Sequence, residues 1–182
     1  MSTVTTKIEL LHEASRMLLA RGLNGFSLQE LATSLNIKKA SLYHHYPSKN
    51  ALAIELYRFY QESFSEWVKK YEDLTPEKQL INYAHKLTDW IVKKQRICPV
   101  GALSLEWQLV DEKLKIEITK LHELHRHWLD QLFKKIPTTI SRKDAVNNVM
   151  ALIQGSIQIA RINNDPELVV RNLKTYLKSI KS

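Results

Sequence analysis

Residues 27–52 read SLQELATSLNIKKASLYHHYPSKNAL, and the fold is decided there. Ser27-Leu28-Gln29-Glu30 has the spacing of a capping box: the Ser27 hydroxyl accepts from the amide three residues on, and the Glu30 carboxylate reaches back to the Ser27 amide. Leu28, Leu31, Ala32 and Leu35 follow at helical spacing, so a short helix begins here. Asn36 comes next, and asparagine is one of the few residues besides glycine that adopts positive φ, which marks Leu35-Asn36-Ile37 as a tight turn. A further helix is predicted over 38–46 and ends before Pro47, because a residue preceding proline is driven out of the helical region. Two short helices joined in this way make a helix-turn-helix. Ile37, Leu42 and Tyr46 form the buried side of the second helix. Lys38, Lys39, Ser41, Tyr43, His44 and His45 are left outside, on a rod narrow enough for a DNA major groove.

The flanks extend that reading. Residues 3–21 carry Ile8, Leu11, Ala14, Ser15 and Leu18 on one helical face and stop at Arg21-Gly22, where glycine supplies a left-handed C-cap. Ser48 is placed to cap a fourth helix over 48–71, with Lys49 in its first turn. Over all 182 residues, 44% are apolar and 25% charged, with only four glycines and five prolines, a composition that specifies a helical globular chain. The expected class is all-α, with an N-terminal three-helix helix-turn-helix domain in residues 1–50 and a C-terminal helical domain in 51–182. Thr75-Pro76-Glu77 and Asp165-Pro166-Glu167 each set a capping side chain before proline at the first helical position. Leu80, Ala84, Leu87 and Ile91 predict one amphipathic helix, and Leu103, Trp107, Val110, Leu114, Ile118, Leu121 and Trp128 predict another. A further helix is predicted over 143–163, followed by a final one through Leu168 to Ile180.

Twenty-seven basic side chains against nineteen acidic ones give a net charge of +8, which suits a polyanionic partner. Cys98 is the only cysteine, so neither an internal disulfide nor a thiolate zinc site is available, and a reducing cytoplasm is expected. Glu9, His12, Glu13 and Arg16 interrupt the apolar positions near the N-terminus, so no export signal is expected. No apolar run approaches the ~18 residues of a membrane span. Gly-rich phosphate loops, nucleophile elbows and metal-binding helix motifs are all missing from the sequence, so the reading is a non-enzyme without cofactor. His122, His125 and His127 lack a carboxylate or thiolate complement at ligand spacing and read as solvated side chains rather than metal ligands.

The run Ser41-Leu42-Tyr43-His44-His45-Tyr46-Pro47-Ser48-Lys49-Asn50-Ala51-Leu52, with Phe26-Ser27 and Leu31-Ala32 before it, resembles the DNA-binding domain of the tetracycline-repressor (TetR) family of transcriptional regulators. Asn36 stands where the family usually has glycine, and His44 stands at a commonly aromatic position. The resemblance implies that Gln29, Lys38, Lys39, Ala40 and Tyr43 approach base edges while Ser27, Ser41, His44, His45 and Lys49 hold phosphates. It also implies a homodimer on double-stranded DNA with a palindromic operator, and a repressor released by a small molecule, with no membrane partner. A ligand-dependent activator or corepressor-type regulator on the same fold is one alternative. A nonspecific basic protein that binds nucleic acid or a membrane surface is another.

Beyond residue 56 the candidates rest on side-chain type. Tyr83, Trp90, Cys98, Trp107 and Gln154 combine aromatic walls with a few polar groups and suit a small hydrophobic effector. Met150, Ile153, Gly155 and Ile157, with Leu173, Tyr176 and Leu177, give a two-helix face for a four-helix dimer interface. Glycine inside a helix costs about 1 kcal/mol relative to alanine, so Gly155 points to a close helix–helix approach.

Overall fold

In the computed structural model, which describes residues 3–94 and 97–181 and the side chains of 7–89 and 97–181, the Ser27 capping box closes as its spacing requires. Glu30 N donates to Ser27 Oγ at 3.1 Å and Ser27 N donates to Glu30 Oε2 at 2.6 Å. Eight helices and no strand form among the described residues: α1 (Thr3–Arg21), α2 (Leu28–Ser34), α3 (Lys39–His45), α4 (Lys49–Lys70), α5 (Pro76–Lys94), α6 (Glu112–Phe133), α7 (Arg142–Ile162) and α8 (Leu168–Ser179). The all-α expectation holds.

The chain folds as two compact units that do not follow chain order. One comprises Met1–Ser63 and Pro99–Leu121, and residues 1–50 fall wholly within it. Leu11, Leu18, Leu31, Leu42, Leu52 and Leu56 form its core, α1 packs on α2, and α2 packs on α3. Gly22 takes φ +78° and closes α1 by donating its amide to Leu18 O at 2.8 Å. Ile8, expected on the buried face of α1, is 45% exposed.

The predicted helix through Leu103 and Trp107 is corrected. Residues 99–110 form successive turns, with Ala102 N to Pro99 O, Ser104 N to Gly101 O, Glu106 N to Leu103 O and Leu109 N to Glu106 O. The Ser104 hydroxyl donates to Gly101 O, drawing the chain tighter there. The helix starts only at Glu112, where Asp111 Oδ1 accepts from Leu114 N at 2.8 Å in the manner of an N-cap. Apolar spacing was satisfied by the turns as well: Leu103 and Val110 are buried, while Leu105 and Leu109 point outward.

The other unit comprises Phe64–Cys98 and His122–Ser182. In it α5, α7 and α8 pack on one another around Leu80, Ala84, Val149, Ile153, Leu173 and Leu177. Helix α5 starts at Pro76 with Thr75 Oγ1 accepting from Lys78 N, as predicted. Helix α8 starts two residues later than Pro166, at Leu168; the Asp165 carboxylate pairs with the Arg171 guanidinium (Nη1 to Oδ1, 3.1 Å) and also accepts from the Leu168 amide.

Candidate nucleic-acid interface

The Leu35-Asn36-Ile37 turn is closed by two backbone bonds, Asn36 N to Thr33 O (3.1 Å) and Ile37 N to Ala32 O (3.0 Å). Asn36 sits at φ +53°, the conformation its residue type tolerates. The turn fixes how α3 leaves α2. Along α3 only Leu42 is buried, with Ile37 and Tyr46 half-buried at its ends. Ser27, Gln29, Lys38, Lys39, Ala40, Ser41, Tyr43, His44 and His45 are all exposed. The Lys39 ammonium lies 5.3 Å from the Tyr43 ring centroid, one helical turn away, so the two side chains brace each other on the outer face. His44 and His45 meet edge to face at 5.4 Å. No acidic residue occurs between Glu30 and Glu55, so nothing along α3 repels a phosphate backbone.

Lys49 occupies a different position from the others. Its Nζ donates to Leu23 O (2.9 Å) and Phe26 O (3.1 Å) and lies 5.9 Å from the Phe26 ring centroid. An ammonium has three donors, so one N–H at most is left for a phosphate, and the main action of Lys49 is to tie α4 to the α1–α2 turn. Ser48 Oγ accepts from Ala51 N at 3.1 Å and caps α4.

The same turn is gripped from its other side by a residue that sequence reading missed. Glu106 accepts from Leu23 N (2.6 Å), Asn24 N (3.0 Å) and Asn24 Nδ2 (3.0 Å). The only sequence signal is a carboxylate set between Leu105 and Trp107 in an otherwise apolar series.

Glu30 gives a pH prediction. The Ser27 amide, then the Ser27 side chain and Arg21, hold its carboxyl below the ordinary carboxylate value. A carboxyl depressed in the folded state contributes stability that is complete above its unfolded pKa and is lost as pH falls through the folded pKa. The capping box is therefore expected to stay closed throughout the neutral range and to open only below the usual glutamate titration. A carboxyl-carbon titration of Glu30 by nuclear magnetic resonance checks this, and a midpoint at or above that of an unfolded glutamate would refute it.

The effector candidates fall in both units, and in the second Tyr83 and Cys98 are neighbours. Tyr83 is buried and bonded to Cys98, also buried, and burial first, then Cys98, pushes its phenol well above the ordinary value. Tyr83 joins a cluster in which its ring meets Phe64 at 5.8 Å, Trp67 at 5.4 Å and Trp128 at 5.2 Å. Gln154 is half-buried on α7. Trp107 belongs to the first unit, where the Lys115 ammonium lies 5.8 Å from its ring centroid. Trp90 lies on α5 with its side chain outside the described residues. A cavity of about 330 Å³ opens beside Phe64, Val68, Leu124, Trp128 and Leu132, and Tyr83, Cys98, Trp107 and Gln154 do not line it.

His125 departs from the solvated reading. It falls on the buried row of α6 with Leu121, Trp128 and Leu132, and its ring stacks on Phe64 with centroids 3.7 Å apart. His122 and His127 stay exposed.

Four of the interface candidates, Ile153, Ile157, Leu173 and Leu177, are buried within the chain's own second unit. Met150 and Tyr176 are half-buried. Gly155 is exposed, and a Cβ built on it has nothing within 4 Å. No close contact among the described residues therefore explains that glycine.

A cationic outer face on a short helix, fixed behind a tight turn, defines a helix-turn-helix DNA-binding domain. Residues 10–56 match the sequence profile of the family described as bacterial regulatory proteins, tetR family. That match covers the helix-turn-helix and the helices on either side of it. It is 24% identical over 166 residues to the uncharacterized HTH-type transcriptional regulator YxaF of Bacillus subtilis (strain 168), covering 86% of this chain and 85% of that protein. It is 25% identical over 171 residues to the HTH-type transcriptional regulator LmrA of the same organism, covering 88% of each. The fold matches a TetR-family transcriptional regulator from Agrobacterium tumefaciens with a TM-score of 0.90 at 20% identity, over 100% of both chains. Residues 10–56 are thus similar, in sequence and in fold, to the DNA-binding domain of these regulators. No helix among the described residues is long and apolar enough to cross a membrane.

Proposed function

We propose that the protein is a homodimeric repressor that docks α3 into a palindromic operator and leaves it when a small hydrophobic molecule occupies the helical C-terminal domain. The observation that carries this reading is the division of α3 into one buried anchor, Leu42, and an outward row that includes Lys39, Ala40 and Tyr43. In this reading Gln29, Lys38, Lys39, Ala40 and Tyr43 approach base edges, Ser27, Ser41, His44 and His45 hold phosphates, and Lys49 fixes the turn behind them. Residues 1–50 read DNA, and residues 51–182 pair the subunits and take up the effector. The protein works in the cytoplasm, on the chromosome.

Two recognition helices spaced by about one turn of DNA, ~34 Å, read two half-sites at once. An effector releases the operator only if it binds more tightly to the subunit arrangement that spoils this spacing, since a ligand shifts an equilibrium by no more than its differential affinity.

The test is selection of duplexes from a random library at near-physiological salt, where nonspecific electrostatic binding is suppressed. An enriched inverted repeat is the expected result, and it supplies the probe for an effector screen. A folded protein that enriches no repeat would sink the proposal. On the enriched duplex, Tyr43→Ala is expected to weaken binding by about 1–3 kcal/mol, the value of a base contact. The melting temperature should stay put, because Tyr43 is 41% exposed. Unchanged affinity would remove Tyr43 from the reading surface.

A further inference from the structure

The turn between α1 and α2 is held by two opposite charges from distant parts of the chain. Lys49 takes its carbonyls, at Leu23 and Phe26, and Glu106 takes its amides, at Leu23 and Asn24. Leu23 thus gives its C=O to an ammonium and its N–H to a carboxylate.

Helix stability does not account for a carboxylate at this place. Glu106 sits at the C-terminal end of α1, where the helix dipole is negative and an anion is disfavoured. It also occupies the space a side chain at residue 22 would need: its Oε2 lies 2.9 Å from where a Cβ on Gly22 would be. What the carboxylate gains is three N–H donors, all on residues 23 and 24, and hydrogen bonds to an ionised acceptor are the strong ones. Residues 23 and 24 set the path from α1 into α2, and α2 carries α3 through the Asn36 turn. The carboxylate therefore acts on the posture of the DNA-reading helix from a segment well outside the helix-turn-helix.

That segment is itself anchored. Tyr57 OH donates to Pro99 O at 2.9 Å at its start, Leu103 and Val110 are buried along it, and Asp111 caps the helix that follows. Whatever displaces residues 99–110 displaces the carboxylate. We infer that Glu106 is a positioning latch: engaged, it holds α2 and α3 in the reading posture, and released, it lets specific affinity fall while the basic surface remains. The inference rests on the operator-binding reading above.

Two measurements on the full chain test it, with E106A and E106Q beside the wild type. Hydrogen exchange without DNA reads the latch directly. The amides of Leu23, Asn24 and α2 are expected to exchange about tenfold faster in both variants, with α7 and α8 unchanged. Binding reads the consequence. The Kd for the enriched duplex is expected to rise about tenfold while that for an unrelated duplex of equal length stays within about twofold. General destabilisation would weaken both duplexes alike, so an equal loss on both overturns the latch. Glutamine keeps the side-chain volume, so E106Q decides if E106A does not fold. Wild-type exchange rates in E106Q overturn the latch, and so does a wild-type Kd on the enriched duplex. If the wild type enriches no duplex, the operator reading fails, and exchange alone decides the latch.

Discussion

Gly25→Ala is expected to cost about 3 kcal/mol, the top of the usual range for overpacking, and to lower the melting temperature of the 182-residue chain by roughly 6–12 °C. A Cβ built on Gly25 lies 2.1 Å from Arg21 O and 2.5 Å from Arg21 Cβ. One of those atoms is backbone, and it belongs to the last turn of α1, so relief requires moving the helix end or the α1–α2 turn. Gly22→Ala is the informative contrast. Its φ of +78° is strained for alanine by about 1–2 kcal/mol, but the atom nearest its added Cβ is the far end of the Glu106 side chain, at 2.9 Å, which can shift by a few tenths of an ångström where backbone cannot, lengthening its bonds to Leu23 and Asn24 without moving α1. The backbone clash should therefore exceed the conformational strain. Calorimetry of the two variants ranks them, and a Gly25→Ala protein that melts no lower than Gly22→Ala would show that the turn has room the geometry denies it. Affinity for the enriched duplex should drop with Gly25→Ala as well, because the turn that moves is the one that carries α2.

The parts of the fold that were legible in the sequence are those whose determinants sit within a few residues of one another. Ser27 and Glu30 close their box across one turn, Asn36 takes the positive φ its type allows, and Thr75 caps α5 from the adjoining position. Periodicity failed where two structures satisfy the same spacing. Leu103 and Val110 are buried by turns as effectively as by the predicted helix, and a hydrogen-bonding Asp111 decides where α6 begins. His125 was assigned to solvent by its chemistry, yet its place in the row of Leu121 and Trp128 commits it to the core. The site divides in the same way. The outward residues of α3 followed from helix geometry, whereas the duties of Lys49 and Glu106 depend on contacts with a turn 23 or more residues away in sequence, and no local pattern encodes those.

Gly155→Arg is expected to turn the proposed dimer into a folded monomer and to reduce affinity for an enriched inverted repeat by about 100-fold or more, since two linked reading heads gain about 10²–10⁴ from their joint attachment. The interface candidates Ile153, Ile157, Leu173 and Leu177 are occupied inside the subunit, so a partner that pairs through α7 would use another of its faces. Ala151, Gly155, Ile159 and Ile162 recur at helical spacing and are all exposed. Ile159 is 48% and Ile162 83% exposed, an apolar pair that water does not favour. Small residues at 151 and 155 let two helices approach closely, which gives the mid-helix glycine a reason that the single chain lacks. The substitution isolates that reason. Nothing lies within 4 Å of a Cβ at Gly155, so arginine meets no clash in its own subunit, and replacing glycine within α7 should raise helix stability by up to about 1 kcal/mol. Sedimentation of the variant reads the assembly, its melting curve reads the fold, and the Kd on a half-site compared with the full repeat separates pairing from base reading. A variant that still sediments as a dimer would move the interface off this face of α7. One that is monomeric yet binds the repeat as tightly as the wild type would show that the two half-sites are read independently.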